Sequence, residues 1–244
     1  MFSFSWRSLV VQGATAFAMS FVLFSSATAD DKSPQSATPR FAILRMSEPD
    51  LLTLRNQLSP GTTAITGLIG TSANEATNTN NAEALTKLFS QSKTSLVEPF
   101  LERLIKAFGV AKIPVVYLAD QTIPPVPPGG KANYEGVVTN AAYLLDLRIV
   151  LAGYVSARKD ADYVPAAWVR VAVIENKTYQ RGFLKMATFG PGAPAKSPLN
   201  MGVDGEVATR YSSASALLAD PAGAFAGITS AVTQIGEFIP TKLP

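Results

Sequence analysis

The sequence predicts an α/β fold of the α+β kind: a single domain built on a mixed sheet of about five strands, with an antiparallel three-strand meander and helices packed mainly on one face. Three observations carry this. First, residues 142–189 divide into three strand-like runs, AYLLDLRIVLAGYV, AAWVRVAVIE and YQRGFLKMATF, separated by the turn-prone segments Arg158–Asp162 and Asn176–Thr178. Second, the odd positions of the first run are apolar or glycine (Tyr143, Leu145, Leu147, Ile149, Leu151, Gly153, Val155). In the second run Val169, Val171 and Val173 repeat the pattern. Alternate strand side chains point to opposite faces, so this set predicts one continuous buried face. Third, Phe225, Ile228, Val232, Ile235 and Ile239 recur at helical spacing behind Asp220 and Pro221, a favoured N-cap and first-residue pair.

The remaining elements follow in chain order. FAILRM (41–46) reads as a short strand. In SEPDLLTLRNQL (47–58) a capping box of Ser47 and Asp50, with Leu51, Leu54 and Leu58 on one side, predicts a helix ended by Pro60-Gly61. The Thr-, Asn- and Gly-rich stretch 62–81 reads as a loop. A helix is expected from Asn80, with Leu85, Leu88, Phe89 and Leu96 as its apolar stripe. Pro99 breaks that stripe, and Ser95 with Glu98 offers a new cap, so two helices or one kinked helix are expected, closed by Gly109. PVVYLAD (114–120) is a strand. TIPPVPPGGK (122–131) forbids regular structure and reads as a stiff connector. After the meander, 190–206 is a second Gly/Pro-rich loop without a phosphate-cradling pattern. No repeat, charge run or composition shift divides residues 40–244.

Residues 1–29 have the layout of a signal peptide: Arg7, an apolar run from Leu9 to Phe24, and Ala27-Thr28-Ala29 before Asp30-Asp31. The alternative is an uncleaved amino-terminal membrane anchor. The run contains Gln12 and Gly13 and is short of the roughly 20 apolar residues a span needs, so cleavage after Ala29 is expected. Residues 30–39 then form a flexible lead, and no transmembrane span remains. The expected destination is the bacterial periplasm or the exterior.

Composition excludes much chemistry. The chain is 47% hydrophobic, enough to bury a core, and only 16% charged. It has no cysteine and no histidine. That removes disulfides, thiol nucleophiles, serine-histidine triads and zinc or copper sites of the nitrogen and sulfur type. No metal site and no cofactor is expected. Without Arg7 the charge is 20 basic against 18 acidic residues, or +2, and no basic run accompanies it, so nucleic acid is not an expected partner. Asp160 and Asp162 lack the glycine and the bidentate glutamate of a calcium loop and read as a turn. Ser212, Ser213 and Ser215 with Lys196 match no serine-lysine spacing.

What remains is the even-numbered face of the meander, which mixes Leu144, Val150 and Ile174 with charged and aromatic side chains. Asp146, Arg148, Tyr154, Trp168 and Arg170 are the candidate binding residues, with Asp146 expected to pair with an arginine across strands. This face is too apolar for open water and too charged for a plain core. Cover by the chain's own loops at 62–81 and 190–206 is expected, with a partner as the alternative.

The strand AAYLLDLRIVLAGYV, the meander after it, and the helix opening LLADPAGAFAGITSAVTQIGEFI resemble the small periplasmic α/β domains of bacterial envelope assembly proteins. Such domains occur in the curli secretion channel, at the amino terminus of the Tol-system propeller protein, and in assembly-type envelope lipoproteins. The similarity covers Phe41–Met46 and Pro114–Ile239 and lies in the order of elements and their hydrophobicity. It implies a role in assembly or protein binding without chemistry. Lipid anchoring does not carry over, since cysteine is absent, and no functional residue does either. The function expected is therefore an exported, non-enzymatic binding or assembly domain with an envelope protein as partner. Two rivals remain: a carboxylate-dependent hydrolase or lyase, for example through Asp146 and Glu175, and a small-ligand or lipid carrier with an apolar cavity beneath the proline-rich loops.

Overall fold

The computed structural model describes residues 38–56, 73–121, 132–158, 161–191, 199–207 and 209–244. Residues 1–37, which include the expected signal and most of the expected lead, lie outside these. So do residues 57–72, the 122–131 connector, Lys159, Asp160 and residues 192–198 with Lys196.

Among the described residues seven strands form one mixed sheet: β1 (Phe41–Leu44), β2 (Thr53–Asn56), β3 (Val115–Leu118), β4 (Tyr143–Ser156), β5 (Tyr163–Glu175), β6 (Arg181–Phe189) and β7 (Asn200–Val203). Their order is β3-β1-β4-β5-β6-β7, and β2 pairs with β4 on the same edge as β1. The meander β4-β5-β6 is antiparallel, as its turns require. The flanking pairs β1–β3, β1–β4, β2–β4 and β6–β7 are parallel. The described residues also form four helices: α1 (Ala73–Ser92), α2 (Val97–Val110), α3 (Ala214–Ala219) and α4 (Pro221–Phe238), the last running into a 3-10 turn. The sheet is thus wider than the five strands expected, because β2 and β7 arise in stretches that read as helix and loop.

One face of the sheet meets the helices. Phe41, Ile43, Leu145, Leu147, Ile149, Val169, Val171 and Val173 share a core with Phe100, Leu104 and Phe108 of α2 and Phe225, Ile228, Val232 and Ile235 of α4. Asp220 caps α4 as anticipated, its carboxylate accepting from the Gly223 amide at 3.1 Å, with Pro221 in the first turn. No helix among the described residues is long and apolar enough to cross a membrane.

The expected single buried face of β4 fails at Val150. There the register with β5 shifts by one residue, and the inward set changes parity. Ala152 and Tyr154 join the helix-side core, while Leu151 and Val155 turn to the other face with Ala166 and Trp168. An extra residue in one strand inverts every later side chain.

Within the stretch read as a helix over 47–58, the described residues 47–56 instead bend and form β2. Leu52 and Leu54, two apart, are fully buried, and Leu51 is 53% exposed. Pairing with Gly153–Ser156 settles the conformation. The 62–81 loop is helical from Ala73 onward. Asn78 explains part of this: its side chain accepts from the Asn56 amide at 3.0 Å and donates to the Asn56 carbonyl at 3.4 Å, continuing the end of β2 into α1. α1 ends at Lys93 in a left-handed conformation, so the two-helix alternative holds.

Pro99 lies in the first turn of α2, where its missing N–H costs nothing. Ser95 Oγ accepts from the Glu98 amide as a capping box should. The reciprocal acid is supplied from elsewhere: the Glu48 carboxylate accepts from Ser95 Oγ at 2.6 Å and from the Leu96 and Val97 amides at 3.1 Å. Gly109 is not the cap at the other end. The helix runs on through Val110, and Lys112 takes the left-handed position, with Ile113 N–H bonded to the Phe108 carbonyl. Within 190–206, expected to be all loop, Asn200–Val203 pairs with Met186–Phe189. Ser213 caps α3 through the Ala216 amide.

Candidate functional site

The second face of the sheet divides into two halves. Over Ala42, Leu44, Leu144, Ala172 and Ile174 lie Tyr134, Val137 and Ala141 from the segment preceding β4. Beside Leu151, Val155 and Ala166 on the same face, Trp168 of β5 is only 6% exposed. Both halves are largely buried, while Val150 beside them is exposed. The first half takes its cover from 132–141, and residues 62–72 and 192–198 of the loops expected to supply cover lie outside the described residues.

Between the halves stands a charged row. Arg148 of β4 lies directly opposite Arg170 of β5. Like charges in that position repel, and Asp146 offsets them. Its carboxylate lies 2.6 Å from the Arg170 guanidinium and 3.5 Å from Arg148 Nε, and it accepts a 3.0 Å hydrogen bond from the Tyr134 hydroxyl. The Asp146 side chain is 5% exposed, against 40% for Arg148 and 30% for Arg170. Burial, followed by the Asp146 charge, pushes the Tyr134 hydroxyl up to about 12 from 10.0. Two donors on this face have no acceptor among the described residues, the indole N–H of Trp168 and Nε–H of Arg170.

Beside this row the edge of β4 is open. β1 pairs with Tyr143–Leu145 and β2 with Gly153–Ser156, leaving 146–152 without a strand on that side among the described residues. The connection between β1 and β2 is drawn toward the helices, where Glu48 reaches α2 and the Leu52 amide donates to Thr86 Oγ1. It leaves a slot of about 560 Å³ walled by Arg45, Glu48, Asp50 and Leu51 against Asp146, Arg148 and Val150. Leu51 and Val150, the bulged residue, expose apolar surface at its mouth, 53% and 38% respectively.

Four of the five candidate residues therefore stand together on one face: Asp146, Arg148, Trp168 and Arg170. Tyr154 does not. The bulge turns it to the helix side, where its hydroxyl meets Thr209 Oγ1 at 2.7 Å and its ring lies edge-on to Tyr211. Burial raises its hydroxyl, partly offset by the Thr209 bond. Tyr211 donates to Asp220 at 2.8 Å and is likewise raised by burial, while the Gly223 amide and the Tyr211 hydroxyl hold the Asp220 carboxyl below its usual range. These groups organise the start of α4. Sequence reasoning missed Tyr134 and Glu48. Tyr134 is an aromatic in a Gly/Pro-flanked segment, and its only signal was that a buried strand aspartate needs donors. Glu48 had none.

The carboxylate pair proposed for a hydrolase is not brought together. Glu175 pairs in register with Tyr143 on the helix side and accepts from Thr178, whereas Asp146 faces the other way. Among the described residues no group of three acidic side chains is placed to hold a metal ion. A groove of about 1010 Å³ runs between α2 and α4, with Arg103 and Glu102 on its rim and Phe225 at its base. It lies on the outer side of the helices.

The chain is thus a mixed α/β protein with one helix-covered sheet face and one face carrying a charged row at an open strand edge. No model of a known protein family matches the chain, and no curated protein is similar to it in sequence.

Proposed function

We propose that this is an exported, non-enzymatic binding or assembly domain of the bacterial envelope, acting in the periplasm or outside the cell and contacting its partner at the slot on β4. The observation that carries the reading is the open edge itself: a strand interrupted on one side, with exposed Leu51 and Val150 flanking the partly exposed Arg148. Exposed strand edges are templates for pairing with another chain, and folds ordinarily cover or charge them. Two further features support it. The acids at the slot with a structural part, Asp146 and Glu48, are engaged in holding strands and a helix end. The signal-like residues 1–29 and the resemblance to envelope assembly domains point to the same setting.

A photo-crosslinking residue placed at Val150 in the producing cell tests this reading. Val110, on α2, is 79% exposed and serves as control. A discrete adduct at Val150 and none at Val110 is the expected result. No adduct, or the same adducts at both positions, would refute a contact surface here. Intact mass of the exported species tests the location, and a mass that retains Met1–Ala29 would overturn cleavage after Ala29.

A further inference from the structure

We infer that the cavity between Tyr143 of β4 and Phe183 of β6 is a binding site for one small, uncharged aromatic ring carrying a hydrogen-bond donor, of the phenol or indole class. The site lies on the helix side of the sheet, on the opposite face from the charged row, and does not depend on the slot at β4.

A gap in a row of rings carries it. Phe108 of α2, Phe41 of β1 and Tyr143 follow one another with ring centres 5.8 and 5.6 Å apart. Phe183 is the next aromatic on that side, beyond β5. Tyr143 stands opposite Glu175 and Phe183 opposite Val173, so the two are separated by two strand spacings across the sheet and two residues along it. At about 4.8 Å per strand and about 3.3 Å per residue, their Cα atoms are roughly 12 Å apart. That span divides into two steps of about 6 Å, inside the roughly 4.5–7 Å range of aromatic pairs. A cavity of about 230 Å³ occupies the gap, lined by Tyr143, Val173 and Phe183 with Arg40, Glu175 and Pro244 around them. An apolar cavity of roughly 150 Å³ is enough for benzene, so a ring of phenol or indole size fits. Gly182 also lines the space, and a Cβ there would meet nothing within 4 Å.

The cavity is reachable from solvent. Tyr143 and Phe183 are half-buried, and Arg40, Glu175 and Gly182 are exposed. Lys185, whose ammonium lies 6.0 Å from the Phe183 ring centre, pairs with Val171, on the side of Phe183 away from Tyr143. The two charged residues lining the cavity, Arg40 and Glu175, have opposite signs, and Arg40 is engaged with the Phe41 ring and the Pro244 carbonyl. An uncharged ligand suits such a site. Glu175 accepts from Thr178 through one carboxylate oxygen, and the other can accept the O–H or N–H of a bound ring.

The test follows backbone amide NMR shifts of the protein during titration with phenol, indole, anisole and cyclohexanol. Phenol and indole should give saturable shifts at Val173, Gly182 and Phe183, with Val110 unmoved. Cyclohexanol, which keeps the hydroxyl and lacks the ring, should bind about tenfold or more weakly. Anisole, with its donor blocked, should bind about threefold or more weakly. Gly182→Leu fills the open space and should abolish the response, and Phe183→Leu should weaken it about threefold or more. Absence of saturation, shifts that bypass these three residues, cyclohexanol or anisole binding as tightly as phenol, or an unchanged response in Gly182→Leu would each overturn the inference. The ligand comparison uses the unaltered protein, so it decides the matter even if a variant folds poorly. N-acetyltyrosinamide binding as tightly as phenol would support a partner's side chain as the source of the ring, and its exclusion would support a free small molecule.

Discussion

Replacing Asp146 by alanine should be among the more damaging single changes on the non-helical face of this protein. The carboxylate is nearly buried and holds three groups at once: Arg170 at 2.6 Å, Arg148 at 3.5 Å and the Tyr134 hydroxyl at 3.0 Å. Removing one partner of a buried ion pair typically costs about 3–5 kcal/mol, because the other charge is left without compensation. A stranded buried hydroxyl adds about 1–3 kcal/mol. Against this, Arg148 and Arg170 are 40% and 30% exposed, so both can turn partly into water and the pair must be discounted toward the surface value of about 0–1 kcal/mol. A net loss of about 3 kcal/mol is expected, a large fraction of the roughly 5–15 kcal/mol that holds a domain folded. Urea denaturation at neutral pH measures it as a shift in midpoint at unchanged slope. A double-mutant cycle with Arg170→Ala should show a coupling of at least about 1 kcal/mol. A loss below about 1 kcal/mol, or strict additivity in the cycle, would refute the claim that Asp146 holds the row together.

Other outcomes follow from neighbouring features. A Cβ at Gly153 would run into the Thr53 carbonyl of β2, so Gly153→Ala should cost about 1–3 kcal/mol as overpacking, read as a lowered Tm. Glu48→Ala removes the remote cap of α2 and should cost about 1–2 kcal/mol, whereas Glu48→Asp, too short to reach, should recover little of it. The raised Tyr134 hydroxyl means that the folded state holds its proton more tightly than the unfolded state. Its contribution is intact below pH 10.0 and lost as pH rises toward about 12. Stability measured across that window should fall less steeply in Tyr134→Phe, and an identical alkaline limb in the variant would refute the assignment.

Much of the fold was legible in residue order. The meander follows from three β-rich runs separated by turn residues. α4 follows from Asp220-Pro221 and a stripe of large apolar side chains, because a cap and a helical period are local properties. The candidate row was legible for a similar reason. A charged residue in an otherwise apolar strand must find a partner, and Asp146, Arg148 and Arg170 are the charges inside β4 and β5, with Glu175 at the end of β5.

What the sequence by itself determined, then, was which segments pair as a meander, where the last helix begins, and that charges occupy the sheet's second face. Only the tertiary structure decided the rest. Leu51, Leu52 and Leu54 suit a helix or a strand equally well in isolation, and pairing with Gly153–Ser156 of β4 selects the strand. Val150 is one apolar residue among several, and only pairing with β5 shows that it is the extra one, which sends Tyr154 to the helices and Leu151 to Trp168. Glu48 closes the end of a helix 48 residues away from it in the chain. Period and propensity act over a few residues, whereas a bulge, a remote cap and a strand on a borrowed edge each depend on a partner that sequence distance conceals.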